Sequence, residues 1–163
     1  MRRLILVAVA FVAVAFVAIQ LVPYGRDHTN PPVTGEPAWD SAATRELAVK
    51  ACFDCHSNET TWPWYSNVAP ISWRLQNHVD EGRQKLNFSE WGSGEQETEE
   101  IVKVVQEGEM PPWDYLIPHP EARLSDADKQ TLLDGLGKTF GAGASGESDQ
   151  GDQGDQGDEG DED

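Results

Sequence analysis

The chain has 163 residues, with 29 Asp and Glu against 12 Lys and Arg, a formal net charge of −17. That length suits one modest domain. The charge argues against nucleic acid as a partner, since phosphate binding needs clustered Lys and Arg; it suits docking onto a basic protein face, or simple solvation.

Arg2 and Arg3 precede an uninterrupted apolar run from Leu4 to Ile19, extended through Gln20 to Val22. At about 1.5 Å per residue the run spans roughly 28 Å, close to the ~30 Å hydrocarbon core of a bilayer. Residues 1–23 therefore read as a single-pass anchor in the cytoplasmic membrane. The arginine pair stays inside and the bulk of the chain lies on the periplasmic side. The competing reading is a cleaved signal peptide. It is disfavoured because the Ala-x-Ala steps at Ala8 to Ala10 and Ala13 to Ala15 lie within the run, not after it. Either reading exports the remainder to an oxidising compartment.

Residues 24–39 carry Pro and Gly without apolar periodicity and predict an extended linker. Asp40 or Ser41 can cap a helix running through Leu47, Ala48 and Ala51 into Cys52. There the chain reads Cys52-Phe53-Asp54-Cys55-His56, a C-x-x-C-H motif containing its only two cysteines. This is the attachment signature of a c-type haem. On a helical turn the three functional residues fall at i, i+3 and i+4 and share one face. Two thiols so placed can add to the two vinyl groups on a haem edge while the imidazole faces the iron. A thioredoxin-like reading wants a βαβ setting, and no strand is apparent. A zinc reading wants two further ligands at recognisable spacing.

Beyond the motif, residues 57–68 hold Trp62, Pro63, Trp64 and Tyr65 and predict a loop with aromatic plugs. Pro70 opens a helix to about Leu86, with Ile71, Leu75 and Val79 on one face. Ser93 is a candidate cap for another helix, whose apolar face is Ile101, Val102, Val104 and Val105 and whose stop is Gly108. Met110-Pro111-Pro112 cannot be helical. Ser125-Asp126-Ala127-Asp128 varies the capping box and opens a helix with Leu132, Leu133, Leu136 and Phe140 on one face. The folded domain is placed at residues 40–140. Residues 141–163 form a low-complexity acidic tail, expected to be disordered, with weak Ca²⁺ association as a minor alternative.

With haem present, His56 is the proximal ligand. Met110 is the leading candidate for the sixth ligand, on a proline-stiffened loop; a Met/His pair raises the reduction potential. His78 is the runner-up and His119 a further alternative, otherwise a loop-packing residue. Arg74 and Arg83 are candidate partners for haem propionates. The carbonyl of Pro63 or Pro70 is a candidate acceptor for His56 Nδ1. Five tryptophans between Trp62 and Trp113 are candidates to pack on a flat macrocycle, with ordinary core packing as the alternative.

The residues that follow carry a resemblance. The stretches are Cys52 to Asn58, Trp64-Tyr65, Pro70 to Trp73, His78 to Arg83, Leu86 to Trp91, Met110 to Pro112, and Tyr115-Leu116 through His119-Pro120 to Leu124-Ser125. Over about residues 40–140 the chain resembles the haem-binding domain family of small bacterial proteins with a cytochrome-c-like haem site. The resemblance implies a periplasm-facing domain holding one haem c behind an N-terminal anchor, with Cys52 and Cys55 as thioethers and His56 on the iron. The acidic tail lies outside it. The expected architecture is all-α: a small cytochrome-c-like helical domain wrapped round one covalently bound haem, behind a transmembrane helix. The expected role is one-electron transfer to a redox partner protein and not enzymatic turnover. The alternative is a haem sensor or peroxidase-like site with a labile sixth ligand.

Overall fold

The computed structural model describes residues 1–93, 96–98 and 100–141. The acidic tail lies outside the described residues from position 142 onward. Among them are six α-helices and no strand: α1 (Arg2–Ile19), α2 (Ala42–Ala51), α3 (Phe53–His56), α4 (Ile71–Lys85), α5 (Ile101–Gln106) and α6 (Asp126–Phe140). Short 3₁₀ turns occupy Trp64–Asn67 and Pro120–Ala122. Among the described residues the regular elements are all helical.

α1 has 18 residues, about 27 Å at the helical rise, with a mean hydropathy of 2.4 and no buried residue. By length and composition it is apolar enough to cross a membrane. The other helices start and stop where local chemistry directs. Ser41 Oγ accepts the Thr44 N–H at 3.2 Å and caps α2. Ser125 Oγ accepts the Asp128 N–H at 3.1 Å and caps α6. Pro70 precedes α4, as its missing N–H allows. The expected Ser93 cap does not form: α5 begins only at Ile101, and Ser93 Oγ donates to the Glu90 carbonyl instead. The hydroxyl finds a local turn acceptor, which is the competition that keeps serine out of helices.

Phe88 lies at the centre of the core with Ala48, Phe53, Leu86, Ile101, Val105, Leu132 and Leu136. Its ring stacks on Phe53 at 5.5 Å and meets Trp39 at 5.1 Å, while Trp91 packs on Phe140 at 5.0 Å. α2 and α6 cross at Gly135, where any β-carbon would overlap the buried Thr44 side chain.

Residues 24–39, expected as a linker with reach, are held along the domain. Arg83 donates to the Thr29 carbonyl at 3.0 Å and to Asn30 Oδ1 at 2.9 Å. Asn58 donates to the Pro32 carbonyl at 3.1 Å. Gly35 forms an isolated parallel bridge with Glu90, and Glu36 pairs with Arg45 at 2.6 Å. The partners lie up to 55 residues away in sequence, so local composition could not reveal them. This segment is a strap.

Candidate functional site

The helix α2 breaks at Cys52 (φ −126°, ψ −35°) and resumes as the single turn α3. The Cys55 and His56 N–H groups both donate to the Cys52 carbonyl, at 3.2 and 2.9 Å. The motif is thus one closed turn, and its three functional residues fall on the wall of one cavity of about 330 Å³. That volume is at the lower end of the range for ligand pockets, about 300–1,000 Å³.

Two neighbouring segments hold this turn. α4 passes so close that a β-carbon on Gly82 would meet the Cys55 carbonyl, with Cys55 Cβ at 3.2 Å. Residues 86–90 run beside it: the Phe88 N–H donates to the His56 carbonyl at 2.8 Å. Asn87 Nδ2 donates to Asn58 Oδ1 at 2.9 Å, and the Asn58 N–H donates to Ser89 Oγ at 3.0 Å, both in buried surroundings.

His56 Nδ1 lies 3.1 Å from the Leu86 carbonyl. A carbonyl only accepts, so Nδ1 carries the proton and Nε2 is left with its lone pair free. Burial pushes this imidazole below its ordinary range, so it is neutral at pH 7. The acceptor is neither Pro63 nor Pro70, the two carbonyls suggested by loop distance. A backbone carbonyl at the C-terminal end of α4 does the work, and any residue type can supply one.

Burial also pushes both thiols up, to about 12, and they are not joined in a disulfide. The cavity therefore presents two protonated thiols, one free imidazole nitrogen and, from Met110, a thioether. Much of the remaining wall is apolar: Leu86, Phe88, Ile101, Val104, Val105 and Leu136. This donor set in an apolar wall fits a haem.

The other expected residues divide. His78 lines the cavity from α4 together with Gly82 and Lys85. Met110 reaches it because Gly108 ends α5 in the left-handed region (φ +78°). The Gly108 and Glu109 N–H groups then donate to the Val105 and Val104 carbonyls at 3.2 and 2.9 Å, a Schellman turn that reverses the chain. Arg74 is not in the lining; it pairs with Asp114 at 2.6 Å. Arg83 is not in the lining either. Besides its two bonds to the strap, it donates to the Ser57 carbonyl at 2.8 Å and to Thr60 Oγ1 at 3.0 Å, clamping strap and motif loop together. The lining cation is Lys85, which sequence reasoning passed over; its signal was its place seven residues after His78 on the same helix. No tryptophan lines the cavity: Trp39 and Trp91 belong to the core, Trp62 stacks on His28 at 4.7 Å, Trp73 is half-buried on α4, and Trp64 and Trp113 are exposed.

Sequence reasoning also missed Asp54 and Tyr115. Asp54 Oδ2 accepts the Tyr115 hydroxyl at 2.7 Å and Oδ1 accepts the Thr61 N–H at 2.9 Å. Burial, and then the bond to Asp54, push the Tyr115 phenol upward. His119 stacks on Tyr115 at 4.4 Å and its Nε2 lies 2.7 Å from the Tyr65 hydroxyl. It packs the loop and is absent from the cavity wall.

An all-helical domain with paired thiols and an oriented imidazole on one largely apolar wall has the makings of a haem-binding module. The family model described as "Haem-binding domain" matches residues 14–138, and the chain belongs to that family. The match reaches back from the domain through the strap into α1. No curated protein matches the chain. No solved structure matches it either.

Proposed function

We propose that the protein is a membrane-anchored mono-haem c-type cytochrome that passes single electrons outside the cytoplasmic membrane. One observation carries the reading: Cys52, Cys55, His56 and Met110 line one cavity in a domain of the haem-binding family. Cys52 and Cys55 would hold the haem covalently, His56 through Nε2 and Met110 through sulfur would bind its iron, and Lys85 would offer a charge partner to its carboxylates. The bound haem supplies one-electron redox chemistry. The protein's own part is to keep His56 neutral and oriented through Leu86, and to keep water from the apolar wall. Arg2 and Arg3 ahead of α1 support placement of the domain outside the membrane, in keeping with the oxidising compartment in which such attachment occurs. The acidic charge suits a basic docking face on the redox partner.

Expression of the full chain with haem-attachment machinery tests this. The expected result is an intact mass raised by one haem, a c-type pyridine haemochrome spectrum, and loss of the covalent adduct in Cys52→Ala with Cys55→Ala. A haem that extracts freely from the wild-type protein would overturn covalent attachment.

One observation favours a second reading. Met110 is 39% exposed and His78 lines the same cavity, so two side chains compete for one coordination position. A readily displaced ligand there would make the site a sensor or peroxidase-like centre. Carbon monoxide binding to the reduced wild-type protein without a strong competing ligand would favour that reading over the electron carrier.

A further inference from the structure

The membrane-spanning reading of α1 has a structural partner on the domain. Gln20 is the first polar residue after the apolar run, and its side-chain amide pairs with both ends of one backbone residue. Nε2 donates to the Ala69 carbonyl at 2.9 Å, and Oε1 accepts the Ala69 N–H at 3.0 Å. Arg26 Nη2 donates to the same Oε1 at 3.1 Å. Gly25, in the left-handed region at φ +78°, brings the chain so close to the start of α4 that a β-carbon would overlap the Ser72 carbonyl. α1 itself packs against no other helix. The domain is therefore clasped to the last turn of α1 at Ala69.

Large apolar side chains close to Ala69 and Gln20 in the chain are uncovered. Trp64 begins the 3₁₀ turn five residues earlier and is 80% exposed; Ile71 begins α4 two residues later and is 50% exposed. Leu21 and Tyr24, on the exit from α1, are exposed as well. Tryptophan and tyrosine with one apolar and one polar end favour the boundary between headgroups and acyl chains, and an arginine there favours anionic lipid. A helix that crosses a bilayer puts the bilayer surface at its own polar end, here Gln20, and the clasp puts Ala69 at the same level.

We infer that Trp64, Ile71 and Tyr24 form a lipid-facing seat that rests the domain on the headgroup region of the membrane crossed by α1. The occupant is the bilayer interface, because the patch is continuous with the one helix able to enter it. The seat rests on the membrane-spanning reading of α1. It makes the protein a docked carrier with a fixed aspect toward the membrane, where the linker reading made it a swinging one.

The test uses the full haem-loaded chain in phosphatidylcholine vesicles containing phosphatidylglycerol. A photoreactive benzoylphenylalanine is placed at position 64, at 71, or at the exposed Gln130 position on α6, which packs on α2 and α5. Flotation reports insertion, and mass spectrometry counts lipid adducts after irradiation. The expected result is adducts at 64 and 71 well above those at 130, falling several-fold when Gln20→Ala opens the clasp while the chain still floats. A floating chain with no more adduct at 64 and 71 than at 130 overturns the seat alone, as does an adduct yield indifferent to Gln20→Ala. A chain that does not float overturns the anchor and the seat together.

Discussion

The cavity wall formed by Cys55, His56, Gly82 and Leu86 is held through backbone groups of α4 and of residues 86–88, whereas the Met110 to Tyr115 segment is a loop held near its ends. On the first wall α4 touches the Cys55 carbonyl, Phe88 bonds the His56 carbonyl, and Leu86 orients the ring. On the second, a Schellman turn at Gly108 starts the loop and the Tyr115 hydroxyl bond to Asp54 closes it, with Met110 39% exposed between them. The difference teaches that the imidazole of His56 is set in position by the fold itself, while the thioether of Met110 is held only through the ends of its loop. That division suits a site whose first ligand must already be oriented when its cofactor arrives.

The largest expected effect strikes the rigid wall through its core. Phe88→Ala removes a fully buried ring stacked on Phe53 and should cost about 3–5 kcal/mol, read as a lowered midpoint in urea unfolding. Next is Gly82→Ala, whose β-carbon must displace α4 from Cys55. It should cost about 1–3 kcal/mol and reduce haem loading. An unchanged melting temperature in this variant would abolish the distinction between the walls. Tyr115→Phe should loosen the loop at a cost of about 1 kcal/mol, with faster amide exchange confined to residues near 110–119.

Met110→Ala should change the stability of the haem-free chain by less than about 0.5 kcal/mol, since the side chain is half-exposed. In the haem-loaded protein it should abolish the sulfur-to-iron charge-transfer band that His78→Ala leaves intact. Survival of the band in Met110→Ala removes Met110 as ligand. A comparably small effect lies outside both walls, where Arg45 holds the Glu36 carboxyl below its ordinary value of 4.5. A lowered folded value means the pair stabilises above pH 4.5 and fades as pH falls through the folded value. Because Arg45 is 40% exposed, the gain is about 0.5 kcal/mol. The melting difference between wild type and Glu36→Gln should thus be small at pH 7 and vanish in acid.

Features written into short stretches of chain were legible in advance. The period of Ile71, Leu75 and Val79 gave α4, Ser125 gave the cap of α6, Gly108 gave the stop of α5, and five consecutive residues gave the cofactor class. Ser93 misled because a serine hydroxyl serves a turn as readily as a helix cap. Arg83 misled because five donors on one fork can be filled by carbonyls as well as by propionates. The strap misled because Thr29, Asn30 and Pro32 find partners on segments 26 to 54 residues away, and polar composition alone reads as solvent exposure.

By itself the sequence determined what depends on side-chain identity and near spacing: an apolar helix long enough for a bilayer, two thiols and an imidazole on one turn, and the helical period of α4 and α6. Tertiary structure alone decided what depends on backbone groups meeting across distance. The Leu86 carbonyl selects the His56 tautomer, the Cys55 carbonyl makes a glycine necessary at 82, and the Ala69 peptide receives Gln20. Every residue carries a carbonyl and nearly every one an N–H, so which of them meets a given side chain leaves no mark in the sequence until the chain is folded.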